Sequence, residues 1–176
     1  MSQTVLIGRC DDDLIVTFPF HWAEQIKEEA EKLEWDIIDL QKENYTEEKA
    51  RRCIEEYAPF LVFFSGHGEA WHTTGHQRRP VLIANKNDFL LKDKIAYVVS
   101  CYTAQYLGQV AYDNGCKAYI GYEDNFAFVY MNENPQVKFS LRAPLRPYKK
   151  QSTFILKFYL TVALLLSLIV FFFGDK

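Results

Sequence analysis

The sequence predicts an α/β domain built on a doubly wound, mostly parallel sheet with helices on both faces. Three observations predict it. Short segments such as TVLIG, FLVFFS and IAYVVS read as continuous apolar runs, which marks strands buried on both faces. The segments between them carry apolar residues at helical spacing among Glu and Lys, so strands and amphipathic helices alternate. A chain of 176 residues with 49% hydrophobic content supplies a full core for one domain of ordinary size.

Thr4 to Gly8 forms a short buried strand, and an acidic loop with Asp11, Asp12 and Asp13 follows it. Trp22, Ile26, Ala30 and Leu33 then recur at helical spacing, which predicts a helix from about Pro19 to Trp35. Asp36 to Leu40 is the second strand. A second helix from about Thr46 to Tyr57 carries Ala50, Cys53, Ile54 and Tyr57 on one face, and Pro59 stops it. FLVFFSGHG, from Phe60 to Gly68, is the third strand and its sharp polar end. A polar loop with His72, His76 and Arg78 leads through a minor extended piece, Val81 to Ala84, to the fourth main strand, Ile95 to Ser100. A helix is expected to follow Cys101 at once, with Ala104, Leu107, Val110 and Ala111 on its inner face and Asn114-Gly115 at its end. Ala118 to Tyr122 is the fifth strand.

Ligands of such sheets bind at the carboxyl ends of the strands, near the point where strand order reverses. His67 and Cys101 both stand at carboxyl ends, of the third and fourth main strands. If those strands are neighbours, the two residues face each other across one strand spacing, about 5 Å between backbones. An imidazole beside a thiol favours the thiolate and can protonate a leaving amine. The backbone N–H groups of Gly68 and Cys101 would then form an oxyanion hole, helped by a helix N-terminus at Cys101.

The blocks FLVFFSGHG and IAYVVSCYTAQYLGQVAYDNGCKAYIGY resemble the histidine and cysteine blocks of clan CD cysteine peptidases, the caspase-hemoglobinase group, and among them CHAT and metacaspase-like members. The resemblance spans roughly residues 4 to 128. It implies a caspase-like cysteine endopeptidase with a His67–Cys101 dyad, acting on a protein or peptide substrate and needing no cofactor. It also implies a P1 pocket near the ends of the first and fourth strands. Asp11, Asp12 or Asp13 would select a basic P1 residue there, Arg9 would select an acidic one, and Val99 occupies the position two before Cys101. The alternative is a degenerate caspase-like module that keeps the dyad by descent and docks a partner.

Other readings are weaker. His67, His72, His76 and Cys101 form a set of zinc-type donors, but no helix fixes their spacing, so no metal is expected. The acidic loop after the first strand also resembles that of a phosphoreceiver domain. Such a domain needs an aspartate at the end of the third strand, where this chain has Ser65-Gly66-His67, and on that ground the sequence argues against it.

A net charge of −3, without a cluster of Lys and Arg on one helix, excludes a nucleic-acid footprint. Cys10, Cys53, Cys101 and Cys116 show no CxxC spacing and follow no secretory signal, which suits free thiols in a reducing compartment. From Phe154 to Phe173 the only charge is Lys157. A helix over that run would extend roughly 30 Å, the thickness of a bilayer's hydrocarbon core. Arg142, Arg146, Lys149 and Lys150 precede it, so the positive-inside rule places the preceding domain in the cytoplasm. The expected organisation is a peptidase domain over 1–130, a linker over 131–152 and a single-pass membrane helix over 153–173.

Overall fold

The computed structural model describes residues 2–126. In chain order the elements are β1 (Thr4–Arg9), α1 (Leu14–Lys32), β2 (Asp36–Gln41), α2 (Glu47–Tyr57), β3 (Leu61–Ser65), β4 (Gly68–Glu69), β5 (His72–Thr74), β6 (Pro80–Ile83), β7 (Ile95–Val99), α3 (Leu107–Asp113) and β8 (Ala118–Ile120). Five strands form one sheet in the order β2-β1-β3-β7-β8, and every pairing in it is parallel. The chain moves from β1 outward to β2, then returns to the other side of β1 to lay down β3. The carboxyl ends of β1 and β3 therefore flank the switch point, where the two connections diverge and leave a crevice.

The apolar runs divide between two faces because side chains alternate along each strand. Leu6, Val62, Phe64, Ala96 and Val98 pack with Ala50 and Ile54 of α2 and with Leu107 and Ala111 of α3. Val5, Ile7, Leu61, Phe63, Ile95 and Tyr97, one position out of phase, are buried on the other face. There α1 contacts β1, β2 and β3, and its inner side carries Ala23, Ile26 and Ala30. At Gly8 a close approach requires glycine. A Cβ on it would lie 2.2 Å from Cε2 of Tyr45, whose ring packs over this point of β1.

Helix ends follow local chemistry. Asp13 caps α1, its Oδ1 accepting from the N–H groups of Ile15 at 3.0 Å and Val16 at 3.3 Å. The cap starts the helix at Leu14 rather than Pro19, so Pro19 lies inside it, among its buried residues. Thr46 caps α2 through the N–H of Lys49, and the helix stops at Ala58, which adopts a left-handed φ of 45° just before Pro59.

Two expectations are corrected here. The polar loop after His67 is a second, three-stranded antiparallel sheet in the order β4-β5-β6. β4 and β5 are too short and polar for an apolar run, β6 covers the extended piece read from Val81 to Ala84, and the buried hydroxyls of Thr73 and Thr74 hold the sheet in place. Thr73 Oγ1 lies 2.6 Å from Ser100 Oγ, and Thr74 Oγ1 donates to the His67 carbonyl at 3.1 Å. The helix expected directly at Cys101 begins only at Leu107, after a run of turns in which Tyr102 takes a left-handed φ of 61°. No helix N-terminus therefore faces the Cys101 thiol. The linker over 131–152 and the membrane helix over 153–173 lie outside the described residues. Among the described residues no helix is long and apolar enough to cross a membrane.

Candidate functional site at the carboxyl edge of the sheet

The loop leaving β1 carries Asp11, Asp12 and Asp13 into the switch-point crevice, and each carboxylate meets a basic side chain. Asp11 pairs with Lys42, just after β2, at 2.8 Å. Asp12 takes His76 Nδ1 at 2.9 Å and the backbone N–H of Gln77 at 2.6 Å. Asp13 Oδ2 lies 2.7 Å from His67 Nε2 and accepts from Arg78 Nη2 at 2.8 Å, while its Oδ1 caps α1. Partial burial pushes the Asp13 carboxyl up, but hydrogen bonds from His67, Arg78 and the Val16 N–H outweigh it and bring the pKa down to about 2. The three acids thus tie the β1 loop to the segment from His67 to Arg78 and to the end of β2.

The sequence reading leaves His76 and Arg78 in a polar loop and gives Lys42 no role. These side chains were visible, but not the fold-back that brings His76 and Arg78 to acids 64 and 65 positions away.

β3 and β7 are neighbours, with Ser65 opposite Val99. His67 and Cys101 follow those ends but find different partners. The His67 ring engages Asp13, and the half-buried Cys101 sulfur accepts the Phe126 N–H at 3.3 Å. No hydrogen bond joins the two among the described residues. Gly68 lies opposite Thr73 in the small sheet. A Cβ on Gly68 would come 2.7 Å from Ser100 Cβ and 2.9 Å from the Cys101 carbonyl oxygen. The bare α-carbon admits the turn after β7, and that turn fills the space beside it.

Arg9 and Val99 are both enclosed, at 0% and 1% exposure. The Arg9 guanidinium donates to both oxygens of Asp39, at 3.0 and 2.5 Å, and to the Phe20 carbonyl at 2.9 Å. It also pairs with Glu24 at 2.6 Å and lies 4.6 Å from the Phe20 ring centroid. All three of its nitrogens are engaged inside the domain. The thiol of Cys10 is likewise buried, and desolvation, reinforced by the charges of Asp12, Asp13 and Asp11, pushes it up to about 12. Such a thiol is inert at neutral pH. Among the described residues no group of three or more His, Cys, Asp or Glu side chains is placed to hold a metal ion.

No family model matches the chain, and no curated protein matches it. Among solved structures, the chain is similar to a CheY-like response regulator receiver domain from Methanospirillum hungatei JF-1, at 16% identity over 69% of this chain and 82% of that one, with a TM-score of 0.39. It is also similar to the signal receiver domain of a putative Luxo repressor protein from Vibrio parahaemolyticus, at 14% identity over 69% and 78% of the two chains, with a TM-score of 0.41. A third is a response regulator from Burkholderia pseudomallei with a phosphorylated aspartic acid, at 12% identity over 68% of this chain and 59% of that one, with a TM-score of 0.41. The similar structures are receiver domains and not caspase-like peptidases. On that finding the resemblance to clan CD is corrected, and with it the endopeptidase activity, its degenerate variant and the peptide-substrate partner. The parallel five-stranded α/β sheet stands on the strand order itself.

Proposed function

We propose that the chain is a non-catalytic signalling module with receiver-like strand order, which acts by binding protein partners and is set by whether the acidic loop after β1 is latched to the segment that follows β3. The observation that carries this reading is the closure of the carboxyl edge by the chain's own charges. Asp11, Asp12 and Asp13 all stand at the switch point, and all are paired with Lys42, His76, His67 or Arg78. The end of β3 offers Ser65-Gly66-His67 and no aspartate, so the module works without an aspartyl phosphate. Its two states differ instead in whether the loop after β1 is latched to the segment carrying His67, His76 and Arg78.

Two measurements on the full chain test the reading. Incubation with acetyl phosphate and Mg²⁺ should leave the intact mass unchanged; a stable phosphoryl adduct on any aspartate would overturn the phosphate-independent mechanism. Cross-linking in cells should capture a different partner set with Asp13→Asn than with the natural chain. Identical sets would overturn regulation through the loop.

A further inference from the structure

The turn joining β4 to β5, the end of β6 and the turn before α3 enclose a groove of about 510 Å³ lined by Ala70, Trp71, Ile83, Ala84, Asn85 and Tyr106. Trp71 is 59% exposed and Tyr106 43% exposed, and no ring contact joins them. Their polar ends are already engaged. The Trp71 indole N–H donates to Glu69 at 3.2 Å, and Tyr106 Oη accepts from Asn85 Nδ2 at 2.8 Å. The nearby main chain is closed as well, since Ala84 N–H donates to the Trp71 carbonyl and Leu107 N–H to the Ala70 carbonyl. That pairing removes these amides and carbonyls from strand addition. What the groove offers a visitor is two open ring faces, apolar walls and the Asn85 Oδ1, which carries no hydrogen bond among the described residues.

The electrostatics of that set have one sign. Ring faces carry the negative lobe of the aromatic quadrupole, the Glu69 carboxylate is fixed at the indole edge, and no Lys or Arg lines the groove. The aromatic rings that already hold a cation are elsewhere, Phe20 with Arg9 and Lys42 and Phe60 with Lys117. We propose that this groove binds an arginine side chain projecting from an extended segment of a protein partner. The planar guanidinium lies against Trp71 or Tyr106, donates to Asn85 Oδ1 and faces Glu69, while its alkyl stem covers Ile83 and Ala84. That the partner is a protein rests on the signalling reading above; the groove's selectivity for a planar cation does not.

The test uses the full chain and short glycine-flanked peptides that differ only in a central arginine, citrulline, norleucine or proline, read by the NMR signal of the Trp71 indole N–H. The arginine peptide should shift that signal, and citrulline, equal in shape but uncharged, should bind about tenfold more weakly. Tyr106→Ala should weaken arginine binding about tenfold by that signal, Trp71→Ala should weaken it about tenfold as read by the side-chain amide signal of Asn85, and Glu69→Gln should weaken it less and flatten its salt dependence. Both aromatic residues are exposed, and an unchanged spectrum elsewhere certifies the fold of each variant. Norleucine or proline binding as tightly as arginine would overturn the proposal in favour of a plain apolar groove. So would a Trp71 signal that responds to protein concentration and to no peptide, which would mean a second copy as occupant. Failure of these peptides leaves the Asp13→Asn partner comparison intact, so the two readings fall separately.

Discussion

Arg9 shows how a single charged residue can be structural at the edge of a functional crevice. It ends β1 fully buried, with Asp39 on two of its nitrogens and Glu24 on a third. Removing one partner of a buried pair leaves an uncompensated charge, whereas replacing both partners by apolar side chains of similar volume removes the desolvation cost with them. Asp39→Ala should therefore lower unfolding free energy by about 3 kcal/mol, and the double variant Arg9→Met/Asp39→Leu by clearly less, in urea titrations of the two variants. Tyr45 gives the opposite case. Its ring is wholly buried against Gly8 and Phe64, and its hydroxyl has no hydrogen-bond partner. Tyr45→Phe removes an unsatisfied buried group without changing the packing, so it should leave stability unchanged or raise it by up to about 1 kcal/mol. The same titration reads both.

At the scale of elements, the loop between β1 and α1 does two jobs through one residue, since Asp13 both starts the helix and anchors His67 and Arg78. Its carboxyl is held at about 2, below the ordinary value of 3.8. The sign is that of a depressed acid: the stabilisation is fully present above about pH 4 and is lost as pH falls through 2. The stability gap between the natural chain and Asp13→Asn should accordingly narrow as pH falls from about 4 towards 2. A gap independent of pH down to 2 would mean that the carboxylate's charge contributes nothing there. The main strands were legible in the sequence because continuous Leu, Ile, Val and Phe runs have few other uses. α1 was displaced by the capping aspartate, which reads as an acidic loop until its N–H partners are known. β6 was legible as the short apolar piece from Val81 to Ala84, but β4 and β5 were not, because strands of two and three residues built around Gly68 and two threonines carry no periodic signal.

For the whole molecule, the misleading feature was the order of blocks. A strand ending in glycine and histidine, followed by another ending in Ser-Cys, is what a doubly wound sheet tends to show wherever its carboxyl edge turns tightly. His67 and Cys101 instead take their partners from elsewhere, Asp13 in the β1 loop and the Phe126 N–H, and the chain between β3 and β7 folds into a small sheet. That sheet is fastened to the β1 loop by two carboxylates, Asp12 to His76 and Gln77 and Asp13 to His67 and Arg78. Its other ties, the Thr73–Ser100 hydroxyl bond and the Thr74 bonds to the His67 carbonyl, do not pass through the loop. Loss of both carboxylates should therefore loosen the segment from His67 to Arg78 as a local unit while the parallel sheet holds. Two carboxylates with three partly exposed pairs contribute about 1–2 kcal/mol together, so amide exchange in Asp12→Asn/Asp13→Asn should rise about tenfold across 67–78. Exchange in β1, β3 and β7 should stay within about threefold of the natural chain. A uniform increase across both sheets would show that the latch and the core open together and that the loop has no state of its own to signal with.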